Sequence, residues 1–278
     1  MGLRINTNVQ SISAQRMLSK TKQNLNSNLR KLSSGERITR AADDAAGLAI
    51  SENLKAQIRS IRQAKRNADD GISLIQTAEG GLSEVSNIVI RLRELAVQAA
   101  SDTVGNTERS FSDIEFQQLK EEIQRISASS EFNGRKLLDG TSGIVEIQIG
   151  AGNDPLNDRL KYDGTTVVST LASLGLTAES VSSKEGAQLA LSRLDDSLVQ
   201  VNGVRAQLGA LQNRLTSVIQ NLGVTEENFS EANSRIRDVD VAAETADMTK
   251  NNILNQAGIS VLAQANQSPN HALKLLNM

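Results

Sequence analysis

The stretch that decides the fold is residues 61–99, "IRQAKRNADDGISLIQTAEGGLSEVSNIVIRLRELAVQA". Apolar residues recur there every seven positions, and a second apolar set follows three residues behind the first. The first set is Ile61, Ala68, Ile75, Leu82, Val89 and Ala96, and the second includes Ala64, Ala78, Val85, Leu92 and Ala99. Consecutive heptads of this kind predict a long helix with one apolar stripe that packs against another helix.

A second stripe with the same period lies far away in the sequence, over residues 187–222. Two such helices within one chain predict antiparallel partners in a helical bundle. The residues expected in the bundle core are Ile61, Ile75, Leu82, Val89, Leu194, Val201, Leu208 and Leu215. A shorter helix is predicted around Phe116 and Ile123, where apolar residues follow a spacing of three and four.

The composition agrees with long helices and disfavours an enzyme. Aromatic residues make up 2% of the chain, there are two prolines, and cysteine is absent. Disulfides, zinc–thiolate sites and cysteine nucleophiles are therefore excluded. The single histidine, His271, has no nucleophile or metal-ligand set around it in sequence, and no phosphate-loop or metalloprotease motif is present. The sequence predicts no enzyme activity, metal or cofactor.

Residues 132–180 have a different pattern, rich in turn residues. In "GIVEIQIG", residues 143–150, apolar and polar positions alternate, which predicts a half-buried strand. Asp163-Gly164 is a hairpin signal and predicts a strand–turn–strand around it. The predicted fold class is therefore mainly α: a long antiparallel coiled-coil bundle with a small β-hairpin region, and terminal helices that pair as a second coiled coil.

Both chain ends carry amphipathic stripes with no local partner, Leu18, Leu25 and Leu32 at one end and Ile253, Ala257 and Val261 at the other. Unpartnered apolar stripes predict an interface, and a head-to-tail interface gives open helical polymers. The predicted assembly residues are Ile5, Val9, Leu18, Leu25, Leu32, Ile253, Ala257, Val261, Leu262, Leu273 and Leu276.

Charge is distributed unevenly between the two ends. Residues 1–42 carry eight Lys/Arg and one acid, whereas residues 223–250 carry seven acids and three Lys/Arg. A basic arm can bind nucleic acid, but this arm has no aromatics to stack bases and no recognisable motif, so contact between charged chain ends is favoured. The N-terminus lacks a secretory apolar segment and no window is long enough to span a membrane, so no membrane insertion is expected.

Several long strings, in order along the chain, resemble bacterial flagellin. They are "LRINTN" (3–8), "KLSSGERITRAADDAAGLAIS" (31–51), the stretch 67–101, "EFNGRKLLDG" (131–140), "GALQNRL" (209–215), residues 234–266 and "ALKLL" (272–276). The resemblance implies a structural subunit of the flagellar filament, in a short form without variable outer domains. It also implies an inner domain of 1–42 with 238–278, which lines the channel and mediates polymerisation, and an outer bundle over 43–237.

The resemblance further implies the route and the partners of the protein. The chain would leave the cell unfolded through the flagellar type III apparatus, bind an export chaperone at its C-terminal region, and polymerise with itself, and with any other flagellins, between junction and cap proteins. The strings "RLRELAVQ" and "DIEFQQL" match the family's receptor-binding patch, which places Arg91, Leu95 and Glu115 at contacts with the flagellin-sensing Toll-like receptor.

Two alternatives remain at this point. A hook–filament junction protein would share the terminal motifs, although the uninterrupted strings in both long helices argue against it. A coiled-coil signalling module of the chemoreceptor kind also uses long alanine-rich heptads, but it needs a membrane span or a sensor domain, and neither pattern is seen in the sequence.

Overall fold

The computed structural model describes residues 7–276, and the side chains of residues 7–267. The helices are α1 (Val9–Ser34), α2 (Ala45–Ala99), α3 (Asn106–Ser129), α4 (Lys184–Arg237) and α5 (Val241–Leu276), and the strands are β1 (Glu131–Phe132), β2 (Arg135–Lys136), β3 (Ile144–Gln148) and β4 (Arg159–Asp163). The mainly helical class predicted from the sequence is confirmed. In the described part of the chain, no helix combines the length and apolarity needed to cross a membrane.

The chain divides into two compact units. The helix-pair unit is Met1–Ala56 with Asn228–Met278, and the bundle unit is Gln57–Glu227. The boundaries proposed from the sequence, 42/43 and 237/238, lie in the loops that flank α2 and α4, whereas the observed division falls within these two helices. The division into inner and outer domains of a polymer therefore stays a prediction.

The bundle unit is built on the two heptad stripes. All eight residues assigned to its core from the sequence are buried, with exposures of 0–4%. Salt bridges Arg62–Glu226 (2.6 Å) and Arg93–Asp195 (2.7 Å) join distant turns of α2 and α4 and show that the two helices are antiparallel. Because aromatics are scarce, aliphatic side chains supply the burial, each contributing about 1.5–3 kcal/mol when fully removed from water.

Side chains define both ends of α2. Asp44 Oδ1 accepts a hydrogen bond from the Gly47 N–H (2.9 Å), so this carboxylate caps the first turn. At the other end the buried guanidinium of Arg109, from α3, donates to the carbonyls of Ala99 (2.7 Å) and Ser101 (2.8 Å). The bond to Ala99 therefore satisfies a carbonyl that the end of the helix leaves without an intrahelical donor, and the bond to Ser101 joins Arg109 to the turn that follows.

The β region contains two antiparallel hairpins, and one expectation about it is wrong. The strand in "GIVEIQIG" is confirmed as β3, but it pairs with β4, from Ile144 opposite Asp163 to Gln148 opposite Arg159. No strand follows Asp163 in the described residues, because its Oδ1 accepts from the N–H (3.0 Å) and hydroxyl (2.6 Å) of Thr165 and bends the chain away.

The two-residue turn lies elsewhere, at Asn133-Gly134 between β1 and β2. Both residues have positive φ, 50° and 76°, as a primed hairpin turn requires. Asparagine and glycine tolerate that region of backbone space far better than other residues. The signal was present in the sequence within "EFNGRKLLDG", but the strands beside it are only two residues long and give no alternation pattern.

Two glycines in α2 allow the β region to approach this helix closely. A Cβ at Gly71 would lie 2.7 Å from Ile147 Cδ1, and one at Gly81 would lie 2.7 Å from Leu138 Cδ1. Both neighbours are buried side chains of the 131–163 segment. The absence of a side chain at these two positions lets the β region lie directly on α2.

Candidate assembly interface

The helix-pair unit places α1 antiparallel against α5. From one end to the other, Ser11 Oγ donates to Asn266 Oδ1 (2.7 Å), Asn251 Nδ2 donates to Asn28 Oδ1 (3.2 Å), and Lys31 Nζ lies 3.5 Å from Glu244 Oε2. Midway, a Cβ at Gly258 would lie 3.2 Å from Leu18 Cδ1. The apolar stripe of α1 therefore has a partner, α5, within the same chain.

The line of contact between α1 and α5, here called the seam, contains little apolar volume. Its α1 side includes the half-buried Leu18, Leu25 and Leu32, and its α5 side is Met248, Asn251, Asn255, Gly258, Leu262 and Ala265. Among the described side chains of α1 and α5, the buried ones are Ser11, Asn28 and Ala265, with exposures of 7–8%. The seam is therefore small and partly polar, unlike the core of the bundle unit.

Most of the large apolar side chains of the two helices lie outside the seam. Nine of them have exposures of 47–64% and form what we call the outward surface: Val9, Ile12, Met17, Leu29, Val241, Ile253, Leu254, Ile259 and Val261. Single exposed leucines are normal on protein surfaces, but nine large apolar residues on one pair of helices are unusual. An exposed apolar area of this kind marks an interaction surface.

The sequence-predicted assembly residues fall on both faces. Leu18, Leu25, Leu32 and Leu262 are half-buried in the seam, whereas Val9, Ile253, Ala257 and Val261 are exposed. Ile5 lies outside the described residues, and the side chains of Leu273 and Leu276 lie outside the described side chains. Sequence reasoning missed Ile12, Met17, Leu29, Val241, Leu254 and Ile259, because it sought one apolar stripe on each helix.

An ion pair joins the two ends of the chain, but α1 keeps an excess of positive charge. Lys31–Glu244 joins the basic and the acidic segment directly. The other cations of α1, Arg16, Lys20, Lys22 and Arg30, are exposed. No acidic residue occurs anywhere in α1. The exposed positive charge of α1 is therefore not balanced by acids of the same helix.

A clamp closes the loop between α1 and α2 against the end of α4. Arg237 forms ion pairs with Glu36 (2.9 Å) and Glu52, and its carbonyl accepts from the Arg37 N–H (2.6 Å). These bonds, with Glu52 first and then Glu36, raise the pKa of the Arg237 guanidinium. Because all these groups belong to the helix-pair unit, the clamp fixes where its two chain segments meet.

The predicted receptor-contact residues lie together on the bundle unit. Arg91 donates to Glu115 Oε1 (2.8 Å) and Glu94 Oε2 (2.9 Å), and the bonds to these carboxylates, Glu94 first, raise the pKa of Arg91. Arg91 and Glu115 are about half exposed, with side-chain exposures of 50% and 47%. Leu95 is 3% exposed and packs in the core beneath them.

These features define a class: a helical structural protein whose two ends pair and present an apolar surface. The family model of the bacterial flagellin N-terminal helical region matches residues 5–143, and that of the C-terminal helical region matches residues 191–276. The chain belongs to the bacterial flagellin family. Flagellins are structural proteins of the extracellular flagellar filament and not enzymes. The predictions of a filament subunit and of no enzyme activity are therefore confirmed.

Individual relatives agree with the family assignment. The chain is 47% identical over 272 residues to a flagellin of Halalkalibacterium halodurans, covering 98% of this chain and 99% of the relative. It is 41% identical over 303 residues to the flagellin of Bacillus subtilis, covering 99% and 100%. The crystal structure of Bacillus cereus flagellin matches with a TM-score of 0.51 and 32% identity over 56% of this chain and 88% of that one.

The coverage of these relatives bears on two of the sequence-based predictions. The two curated flagellins match almost end to end, which agrees with the predicted short form. The matches give no support to the hook–filament junction alternative.

Proposed function

We propose that this flagellin polymerises by burying the outward surface of its α1–α5 pair between neighbouring subunits, and that the resulting helical filament drives swimming. The observation that carries the proposal is the set of nine exposed apolar side chains on paired helices. In the polymer, residues 1–42 with 238–278 would form the inner, channel-lining layer, and residues 43–237 the layer outside it.

The magnitude of the burial fits assembly among several neighbours. Covering the exposed half of each large apolar side chain gains about 1 kcal/mol. Nine such residues therefore contribute on the order of 9 kcal/mol, while association costs about 4–15 kcal/mol in lost freedom. A single pairwise contact would be weak, whereas a helical polymer, in which each subunit touches several others, covers the whole surface.

Seeded polymerisation tests this surface directly. Replacing Ile253 and Ile259 by Ser removes about 2 kcal/mol of burial in the polymer, so the critical concentration should rise roughly thirtyfold. The matched control is Leu156→Ser, at a leucine that is 85% exposed in the β region. Sedimentation of the polymer after seeding gives the critical concentration, and circular dichroism checks that the helices remain.

The proposal fails if the Ile253→Ser/Ile259→Ser protein retains its helices and polymerises at the wild-type critical concentration. A coarser test deletes residues 238–278, which removes α5 and with it more than half of the outward surface. The truncated chain should stay soluble and monomeric under conditions in which the full chain forms filaments.

Export through the flagellar type III apparatus in an unfolded state, with a chaperone at the C-terminal region and with cap and junction proteins at the two filament ends, belongs to the same proposal. The family resemblance supports these partners, and the exposed apolar residues of α5 supply a reason for a chaperone, since they would otherwise promote early association. Co-purification of a co-expressed chaperone with the full chain, and its loss with the chain lacking residues 238–278, is the expected result.

Recognition by the flagellin-sensing Toll-like receptor is proposed at Arg91, Glu115 and the underlying Leu95. Arg91→Ala combined with Glu115→Ala should weaken binding to the purified receptor ectodomain. The matched control is Arg125→Ala combined with Glu122→Ala, another exposed Arg–Glu pair (2.6 Å) on α3. Equal affinity of both double variants would remove this site from the proposal.

A further inference from the structure

The two ends of the chain carry positive charge and no negative charge. Residues 1–35 and 248–278 contain eight Lys/Arg and no Asp or Glu. If these segments of neighbouring subunits met only each other in a polymer, their charges would repel. The acids that balance them must therefore come from another part of the chain.

Part of this positive charge lies on the side of α1 opposite the seam. A helix turns by about 100° per residue, so residues spaced by three and four share one side. The exposed residues of this side are Val9, Ile12, Arg16, Lys20 and Arg30. Arg16 and Lys20 follow Ile12 on the next two turns. A neighbour that covers the apolar Val9 and Ile12 therefore also approaches Arg16 and Lys20.

These two cations have no ionic partner within the described part of the chain. Arg16 and Lys20 form no salt bridge with a described residue, and α1 contains no acid. Moving a cation out of water without an opposite charge beside it is strongly unfavourable. Burial of Ile12 between subunits therefore requires acids of the neighbour close to both cations.

Exposed acids lie at the opposite end of the helix pair. Asp238 precedes α5 and Asp247 lies in its second turn, and both side chains are exposed and form no salt bridge with a described residue. Lys31 marks this end of α1, because it pairs with Glu244. From Lys31 to Arg16 the distance along α1 is about 22 Å. The exposed acids and cations of one chain are therefore too far apart to pair with each other.

A neighbouring subunit can bring them together. Subunits of a helical polymer have the same orientation and are displaced along the axis. A displacement of about 20 Å along the helix pair places the acidic end of one pair beside Arg16 and Lys20 of the next. We propose that Arg16 and Lys20 of one subunit bind Asp238 and Asp247 of a neighbouring copy. The inference rests on the proposed polymerisation and adds which parts of two subunits meet.

Reversal of charge on either side tests this contact. The basic-side variant is Arg16→Glu with Lys20→Glu, and the acidic-side variant is Asp238→Lys with Asp247→Lys. Each variant places like charges opposite one another, which opposes association. In seeded polymerisation of the full chain, the critical concentration of each variant should be at least about tenfold above that of the wild type.

Two rescue experiments separate the contact from any loss of folding. The chain that carries all four substitutions restores opposite charges, so its critical concentration should return to within about threefold of the wild type. An equimolar mixture of the two double variants restores them between chains, because the acidic α1 of one variant meets the basic segment of the other. The mixture should polymerise at concentrations at which neither variant polymerises alone, which a contact within one chain would not allow.

The matched control is Arg135→Glu with Arg214→Glu, two exposed cations of the bundle unit. It changes the net charge as much as the basic-side variant does, and it should raise the critical concentration by less than about threefold. Three results would overturn the inference: a basic-side variant that polymerises like the wild type, as it would if its cations faced a water-filled channel; a control that is impaired as strongly; or a mixture that fails to polymerise. Normal polymerisation of the Ile253→Ser/Ile259→Ser chain would instead contradict the proposed apolar burial and leave the charge results as they are, so the two proposals fail separately.

Discussion

Tyr162 gives the sharpest quantitative prediction, because it is the only tyrosine of a chain without tryptophan. The side chain lies in β4, is 1% exposed, and donates its hydroxyl to the Leu137 carbonyl at 3.0 Å. Burial raises the pKa of Tyr162 to about 12. The perturbation is Tyr162→Phe, which keeps the ring and removes both the hydrogen bond and the ionisation.

At neutral pH the substitution should destabilise the bundle unit. It leaves the buried Leu137 carbonyl without its donor, which costs about 1–2 kcal/mol. Phenylalanine fills nearly the same volume, so no cavity adds to this figure. The wild-type chain is therefore expected to be the more stable of the two by that amount.

At alkaline pH the order should reverse. Tyr162 in the unfolded chain loses its proton near pH 10, whereas in the folded chain it holds the proton to about pH 12. Between these values the folded state binds more protons than the unfolded state, so the free energy of unfolding falls as pH rises. At about 1.4 kcal/mol per pKa unit, the loss approaches about 3 kcal/mol above pH 12, and about half of it is present by pH 11.

The two stability curves should therefore cross at about pH 11–12. Urea unfolding followed by circular dichroism at a series of pH values measures the difference, and other titrating groups cancel because both proteins contain them. The absorbance of tyrosinate gives the folded pKa independently. A difference that does not change from neutral pH to pH 11, or a folded tyrosine that titrates near 10, would refute the reasoning.

Two further predictions concern α2. Gly81→Ala should lower the free energy of unfolding by about 1 kcal/mol or more, because the added Cβ would meet Leu138 Cδ1 at 2.7 Å. Gly80→Ala, whose added Cβ has no atom within 4 Å, should raise it by up to about 1 kcal/mol. The urea midpoints of the two variants check both predictions. Arg109→Ala should cost about 2–3 kcal/mol, because its buried guanidinium caps α2, while the exposed Arg125→Ala should change thermal stability by less than about 0.5 kcal/mol.

The helical part of the fold was predictable because burial on one face imposes a period that the sequence must show. The stripes through Ile75 and Leu208 follow that rule, and both residues are 0–2% exposed. The β region was less predictable, since its hairpins depend on local turn chemistry. Asp163-Gly164 and Asn133-Gly134 are similar signals, and only contacts such as Asp163 with Thr165 decide which of them becomes a two-residue hairpin turn.

The candidate interface was predictable as a region but not as a set of residues. Ile253 and Val261 define an apolar stripe on α5, and the sequence gives no reason to expect that Gly258 and Asn251 face α1 instead. The choice depends on how closely the helices approach, because a glycine opposite Leu18 allows a contact that a larger residue would prevent. Small and polar residues are poor indicators of a seam in a hydrophobicity pattern.

The helix pair places most of its large apolar side chains outside, in contrast to the bundle unit. In the bundle unit the large aliphatic residues are inside, whereas in the helix pair nine large apolar residues are exposed, the leucines of the seam are only half-buried, and the buried positions are Ser11, Asn28 and Ala265. A seam of that composition buries little apolar area and contributes little stability. On the proposed function, the stability of the pair comes from neighbours that cover the outward surface, so hydrogen exchange of α1 and α5 should slow sharply on polymerisation while that of α2 changes little. Equal protection of α1 and α2 in the monomer would contradict this view.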